Sequence, residues 1–364
     1  MNNNIDNKNS IYEYKFSIVM AVYNVEKYLR EAVESLVHQT IGFESIQLIL
    51  VNDGSPDRSP VICDEYAEKY PNNVVVIHKK NGGVSSARNE GLKHVKGELV
   101  NFLDSDDKLS ENTLDEVWKF YLKNKLEIDL ISIPLFFFEG AKGEHPLNVK
   151  FAKGTRVIDL KTEWNMPQLS GASTFFKASI LKKYEFDIRL AYAEDAKLIT
   201  QILTTNLKLG VVAEAKYLYR KRVGNNASAI QNSGKTRNWF MPCLEYFNEA
   251  CIKYAKNTLG TIPLYVQNAV MHDLQWKFLQ KSIPEGVMDS DEETEYLRRL
   301  FAILQDIENK VIFKQSPKEW AMLKIFNKEN PNAKLMEIEE KEILLDTIEK
   351  QLKRLMKMFL INQH

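Results

Sequence analysis

The stretch Ile46-Gln47-Leu48-Ile49-Leu50-Val51-Asn52-Asp53-Gly54-Ser55 is an apolar run of strand length that stops at a carboxylate and a turn-forming glycine. Such a run reads as a strand buried on both faces, the situation in a parallel sheet covered by helices. Working outward, strand character recurs at Phe16 to Val22, Val74 to His78 and Leu99 to Leu103. Between these lie Glu26 to Gln39, Ser59 to Tyr70, Val84 to Val95 and Leu109 to Lys125, with apolar residues at helical spacing such as Leu29, Val33, Leu36 and Val37. The alternation predicts an α/β architecture around a mostly parallel sheet.

All of these strands end in a similar way. Tyr23-Asn24 follows the first, Asp53 the second, Asn81-Gly82-Gly83 the third and Asp104-Ser105-Asp106-Asp107 the fourth. Ligands of open α/β sheets bind beyond the carboxyl ends of the strands, so one shared crevice is more economical than unrelated turns. Taken alone, Asp53 reads equally as an Asp-Gly turn. The carboxylates of Asp104, Asp106 and Asp107 repel one another unless a cation neutralises them, and Mg²⁺ or Mn²⁺ held with nucleotide phosphates suits such a group. Asp106 or Asp107 capping the next helix is the plainer alternative. Arg88, in the helix opened by Gly82-Gly83, reads either as an exposed helix residue or as a partner of a diphosphate.

Composition narrows the class. In 364 residues, 49 Lys and Arg balance 49 Asp and Glu, and 27% charged against 44% hydrophobic residues describes an ordinary soluble protein of two or three domains. Neutrality argues against a generally basic nucleic-acid binder. Cys63, Cys243 and Cys251 form no C-x-x-C pair, which fits buried thiols in a reducing compartment. The most apolar run, Leu130 to Phe138, is interrupted by Pro134 and is far shorter than the roughly 20 residues of a membrane-spanning helix. These features fit a cytoplasmic protein that touches a membrane only peripherally, if at all. The first strand is not followed by G-x-G-x-x-G, and no P-loop or H-E-x-x-H is present, so hydride transfer and P-loop hydrolysis are disfavoured.

Residues 1–15 are expected to form a disordered leader. Gly140 to Gly154 reads as a surface connection, followed by a short strand or edge at Thr174 to Phe176, a helix over Asp195 to Thr205 and strands at Leu209 to Val212 and Tyr217 to Arg220. From Arg237 helical periodicity takes over, through Trp239 to Lys256, Leu264 to Gln280 and Glu292 to Lys310. Leu345, Ile348, Leu352, Leu355 and Phe359 permit a packed terminal helix, a short coiled-coil seam or, with Lys350, Lys353, Arg354 and Lys357, contact with an anionic membrane surface.

The sequence resembles an inverting family 2 glycosyltransferase of the GT-A fold. The matching segments are Ser17-Ile18-Val19-Met20-Ala21-Val22-Tyr23-Asn24, Val51-Asn52-Asp53-Gly54-Ser55, Asn81 to Asn89, Phe102-Leu103-Asp104-Ser105-Asp106-Asp107 and Ala193-Glu194-Asp195, in the family's order over Phe16 to about Ile230. The resemblance implies a Rossmann-like catalytic domain over 16–232 and a helical C-terminal domain over 233–364 that serves acceptor binding or oligomerisation. It implies that Ala21 and Tyr23 line the nucleoside pocket, that Asp53 reads the base, and that Asn81 and Arg88 face the nucleotide and its diphosphate. Asp104 and Ser105 would approach the ribose or sugar, Asp106 the Mn²⁺ or Mg²⁺ ion, and Asp195 would be the catalytic base, although a helix N-cap is its ordinary reading.

Many relatives carry a histidine after the base, but Tyr217 to Ile230 has none. It has Arg220, Lys221 and Arg222, then Asn225, Asn226 and Ser228, and the basic residues, Arg222 among them, are expected to close over the diphosphate. The implied activity is metal-dependent transfer of a sugar from a nucleotide donor, UDP-linked in this reading, to a hydroxyl of a saccharide or an envelope glycopolymer such as a teichoic acid or capsule. The alternative is a catalytically idle GT-A scaffold in a polysaccharide-assembly complex, against which the intact Asp104, Asp106 and Asp195 argue.

Overall fold

A computed structural model describes residues 11–222, 234–279 and 283–315, which fall into two compact units meeting in sequence at Ser233 and Gly234. In the first, β1 (Tyr14–Val22) lies between two parallel neighbours, β2 (Ile46–Asn52) and β4 (Gly97–Asn101), and β2 pairs in parallel with β3 (Val74–His78). Every residue of β2 is buried, Gln47 and Asn52 included, as a mostly apolar strand covered on both faces requires.

Alternation along β1 explains the layering. Phe16, Ile18, Met20 and Val22 share a core with Leu29, Ala32, Val33 and Leu36 of α1 (Leu29–Val37). On the opposite face Val19 meets α3 (Val84–Leu92) at Gly91, where a Cβ would lie 2.5 Å from the Val19 side chain. The helix α2 (Ser59–Lys69) contributes Ile62, Cys63 and Tyr66 to the α1 side. The chain thus moves outward from β1 to β3 and returns across β1 to β4, so a topological switch point falls at the carboxyl ends of β1 and β4.

The remaining strands extend the sheet in the order β3-β2-β1-β4-β10-β6-β11-β9, with β6 (Leu130–Ser132), β9 (Arg156–Asp159), β10 (Thr174–Lys177) and β11 (Lys208–Val211). A smaller sheet, β5-β12-β7-β8, is formed by β5 (Lys108–Leu109), β7 (Leu135–Glu139), β8 (Gly143–Glu144) and β12 (Tyr217–Lys221). Three more helices complete the unit: α4 (Thr113–Asn124), α5 (Ala178–Leu181) and α6 (Glu194–Asn206).

Several expectations need correction. Tyr14 and Lys15, assigned to the leader, already belong to β1. Of the short strand or edge expected at Thr174 to Phe176, the strand is found and the edge is not: β10 sits inside the sheet, antiparallel to both β4 and β6, and Phe175 packs edge-on against Phe16 with ring centroids 5.7 Å apart. The helix expected from Leu109 begins only at Thr113, because Lys108 and Leu109 pair with β12. The connection from Gly140 to Gly154 is not wholly on the surface, since its 3₁₀ segment Pro146–Phe151 buries Asn148 and Lys150.

The second unit is helical: α7 (Arg237–Cys243), a π-helical turn at Leu244–Glu249, α8 (Ala250–Leu259), α9 (Leu264–Leu279), α10 (Ser290–Gln305) and α11 (Asn309–Gln315). Trp239 to Lys256, expected as one regular helix, carries Pro242, which cannot donate to the preceding turn, and the π turn follows at once. Its core gathers Phe240, Leu244, Phe247, Val266, Leu300 and Leu304, together with a buried Asp273–Lys277 ion pair at 2.7 Å. All three cysteines are buried and none is in a disulfide. No helix among the described residues is long and apolar enough to cross a membrane. The seam from Leu345 to Phe359 lies outside the described residues.

Candidate active site

The switch-point crevice opens where β1, β2 and β4 end. Ser105 donates its hydroxyl to the Ala21 carbonyl at 2.9 Å and so ties the ends of β4 and β1 together. Beside it, the buried Asp53 accepts the backbone N–H groups of Gly82, at 3.0 and 3.1 Å, and of Gly83 at 2.8 Å, and the Lys79 ammonium lies 2.6 Å away. The carboxylate expected to read a base is therefore engaged in holding the loop that opens α3. Tyr23 is half exposed and Asn81 exposed just past their strands, leaving both side chains accessible to a ligand.

Arg88 is neither exposed nor directed at open solvent. It is buried in α3 and donates one arm to Asp104 at 3.0 Å and another to Glu194 at 2.8 Å. The rings of Phe186 and Phe102 flank its guanidinium at 5.3 and 6.0 Å. One cation thus answers several carboxylates. Burial, with Asp195 adding to it, pushes Glu194 up to about 7 against the opposing pull of Arg88. Asp104 is also raised by desolvation, which outweighs Arg88, with Asp106 and Asp195 contributing.

Asp195 stands in the first turn of α6, where the helix dipole favours a carboxylate. Its Oδ1 accepts the Ala196 N–H at 2.7 Å, a local helix-end bond, while Oδ2 accepts the Gly171 N–H at 2.8 Å from a different part of the chain. Ala193, just before α6, has φ of 64°, a left-handed conformation costly for a residue with a Cβ. Strain of this kind persists where the surroundings over-determine the backbone, and here it precedes the Glu194-Asp195 pair.

The other carboxylates divide their work. Asp106 Oδ2 accepts the Arg222 Nε–H at 2.8 Å and lies 2.7 Å from Nη2, and the Arg222 guanidinium lies 5.1 Å from the Tyr28 ring. Arg220, expected near a diphosphate, is buried: it donates to the Asp106 carbonyl at 2.6 Å, to Glu31 and to Glu139, between the rings of Tyr28 and Phe138. Asp107 does not cap a helix. It accepts the Tyr217 hydroxyl at 2.6 Å and the Arg220 N–H at 2.7 Å, and burial, with Asp106 and Asp104 nearby, pushes it up to about 8.

Among the described residues no three His, Cys, Asp or Glu side chains converge to hold a metal by themselves. The hard oxygen donors of Asp104 and Asp106 nevertheless suit Mg²⁺ or Mn²⁺ bound through one or two carboxylates, with the remaining ligands from a nucleotide diphosphate and water. Asn225, Asn226 and Ser228 lie outside the described residues. Sequence reasoning missed Glu194 as a partner of Arg88, although its position beside Asp195 was a signal. It also missed Gly171 and Phe186, which carried none.

Residues 17–185 match the profile of Glycosyl transferase family 2, and the chain is 32% identical over 342 residues to the minor teichoic acid biosynthesis protein GgaA of Bacillus subtilis, covering 91% of this chain and 75% of GgaA. The chain belongs to glycosyl transferase family 2. Within the family it is also similar to GgaB, the minor teichoic acid biosynthesis protein of Bacillus subtilis, at 48% identity over 301 residues. That match covers 83% of this chain, but the chain spans only 33% of GgaB. Among solved structures, residues 1–349 of Staphylococcus aureus TarS with UDP-GlcNAc superimpose with a TM-score of 0.68 over 93% of this chain and 92% of that one, at 20% identity. This likeness gives the family 2 chain a GT-A fold with C-terminal helices.

Proposed function

We propose that the chain is a metal-dependent, inverting glycosyltransferase that moves a sugar from a UDP-linked donor to a hydroxyl of a glycopolymer of the teichoic acid kind. The observation that carries this reading is the Arg88 bridge, because it brings Asp104 of the D-x-D segment and Glu194-Asp195 into one crevice at the switch point. The names of GgaA and GgaB support the acceptor class, and the UDP-GlcNAc bound to TarS supports the donor class.

In this reading Asp195 is the base. It takes the proton of the acceptor hydroxyl as that oxygen bonds to the anomeric carbon and the bond to the diphosphate breaks on the opposite face, which inverts the centre. Asp106, with Asp104, would hold a divalent ion whose chemistry is to offset charge on the departing diphosphate. Ala21, Tyr23, Asp53 and Asn81 border the nucleoside, Ser105 fixes the crevice floor, Arg88 sets Asp104 against Glu194, and Arg222 turns to the diphosphate. The helical unit from Gly234 serves acceptor binding or self-association, and the enzyme works in the cytoplasm, at most peripheral to a membrane.

The test is a panel of UDP-sugars offered with Mn²⁺ or Mg²⁺, scored for turnover and for UDP affinity by calorimetry. Asp195→Asn is expected to lower turnover at least about 100-fold while donor affinity stays within twofold. Asp106→Asn is expected to weaken metal-dependent UDP binding itself. A wild type that shows neither turnover nor metal-dependent UDP binding overturns the proposal.

A further inference from the structure

Lys150 is 3% exposed, and among the described residues its Nζ pairs with two carbonyl oxygens, that of Pro167 at 2.6 Å and the side-chain Oε1 of Gln168 at 2.5 Å. A lysine is rarely buried, and one facing neutral oxygens rather than a carboxylate needs a reason to be there. It is aimed by its own segment. Asn148, two residues earlier, clamps the start of β7 through the Leu135 N–H at 3.0 Å and the Leu135 carbonyl at 2.9 Å. This anchors the 3₁₀ segment and turns Lys150 toward the loop that leads into β10.

Gln168 is the branching point of that loop. Its Oε1 accepts Lys150 and the Ser132 hydroxyl at 2.7 Å, and its Nε2 donates to the Ser170 carbonyl at 2.9 Å and to Thr174 Oγ1 at 2.8 Å. The two donors on one end fix which way the amide faces, because a reversed amide would point N–H groups at an ammonium and a hydroxyl donor. Thr174 Oγ1 closes the turn on the Ser170 carbonyl at 2.7 Å, and Asn101 of β4 donates to the Ala172 carbonyl, also at 2.7 Å. Gly171 lies inside this lattice, and its N–H is the group that meets Asp195 Oδ2 at 2.8 Å. The approach is close: a Cβ on Gly171 would stand 3.0 Å from Asp195 Cβ.

We propose that Lys150 and Gln168 are positioning residues that hold the 167–171 loop so that the Gly171 N–H orients the Asp195 carboxylate toward the acceptor hydroxyl. This rests on Asp195 being the base. A carboxylate gripped by the Ala196 N–H alone would rotate about its side-chain bonds, whereas a second grip on the other oxygen from a separately anchored loop leaves one orientation. Displacement of a reacting group by about 1 Å can cost on the order of 100-fold in rate, so an anchor that never touches substrate can govern turnover.

The test compares full-length Lys150→Met, Gln168→Met and Gly171→Ala with wild type and with Asp195→Asn. Three readouts are taken: turnover of whichever UDP-sugar the wild type consumes, UDP affinity with Mn²⁺ by calorimetry, and hydrogen exchange across residues 167–173. The expected result is a kcat lower by about 10- to 100-fold in all three variants, UDP affinity within twofold of wild type, and faster exchange at Gly171 in the Lys150 and Gln168 variants. Should Lys150→Met fail to fold, Gln168→Met and Gly171→Ala carry the same comparison. Wild-type kcat in the folded variants, or a loss of UDP affinity matching the loss of kcat, overturns the positioning role while Asp195→Asn remains inactive. An active Asp195→Asn overturns instead the reading on which the role rests.

Discussion

Arg88 Nη1 stands 2.8 Å from Glu194 Oε1 and joins two helices whose contacting residues are 106 positions apart in sequence. Its other arm reaches Asp104, so the bridge connects the end of β4 to the start of α6. Replacing it by Arg88→Met would leave the buried Glu194 and its neighbour Asp104 without their cation. Breaking such a buried pair costs about 3–5 kcal/mol, so that loss of stability is expected in urea titrations. Arg88→Lys is expected to recover only part of it, since one ammonium lacks the two-armed reach of a guanidinium. A loss below about 1 kcal/mol in Arg88→Met would show that the bridge does not organise the site.

Gly97 opens β4 where no side chain fits. A Cβ there would lie 2.3 Å from the Ser17 backbone nitrogen and 2.4 Å from the Phe16 carbonyl carbon, both main-chain atoms of β1. The Gly97 N–H also donates to Ser17 Oγ at 2.8 Å, within the network that Gln47 and Lys96 complete. Gly97→Ala is therefore expected to force β1 and β4 apart, with a stability loss of at least about 1–3 kcal/mol, the usual cost of overpacking. Equilibrium unfolding of the variant measures it, and an unchanged midpoint would refute the close approach.

The parts of the fold legible in the sequence were those set by local chemistry. β2 and β3 fall where their apolar runs lie, and α6 starts at Glu194, one residue from expectation, because periodicity fixes one-dimensional extent. The position of β10 inside the sheet was not legible, because Thr174 to Phe176 carries no mark that tells an edge from an interior strand. In the site, the carboxylates after β2 and β4 stood out by clustering, and their roles shifted once their partners were known. Arg220 and Arg222 look alike in sequence and, two residues apart, share one side of the extended chain, yet Arg220 lies buried within β12 and donates to the Asp106 carbonyl whereas Arg222, just past the strand, pairs with the Asp106 carboxylate; the sequence carries no mark of that difference in depth. Lys150 was hidden in a glycine-rich connection because its acceptors lie 17 and 18 residues away in a loop without motif.

The buried Lys150 should also leave a mark on stability. Burial lowers its ammonium from 10.5 to about 7. Below about pH 7 both folded and unfolded chains hold the proton, so the desolvation penalty is constant. Between about 7 and 10.5 the unfolded chain binds the proton and the folded chain does not, so stability supplied by this group rises with pH. Wild type is therefore expected to gain stability relative to Lys150→Met between pH 7 and 9.5, by at most about 1.4 kcal/mol per pH unit, with a flat difference from pH 6 to 7 apart from the neighbouring His145. Urea titrations of both proteins across this range measure the difference. Parallel curves would place the Lys150 ammonium outside the low-dielectric interior.

Arg222 and a divalent ion make competing claims on Asp106. In the structure Arg222 Nε donates to Asp106 Oδ2 at 2.8 Å and Nη2 lies 2.7 Å from the same oxygen, so the guanidinium covers one oxygen of the carboxylate with a charge-assisted contact. An ion binding that oxygen must displace the guanidinium, and a displaced Arg222 has a natural new partner in a diphosphate. Two opposite effects are then expected of Arg222→Ala. Without nucleotide, Mn²⁺ should bind more tightly, by roughly 3- to 10-fold, because a partly exposed ion pair of about 1 kcal/mol no longer competes. With Mn²⁺ saturating, UDP should bind more weakly, by at least about 10-fold, because a charge-assisted contact to the diphosphate is lost. Free Mn²⁺ followed by electron paramagnetic resonance measures the first effect and calorimetry with UDP the second. If both affinities fell together, Arg222 would be a support of the metal site and not its competitor.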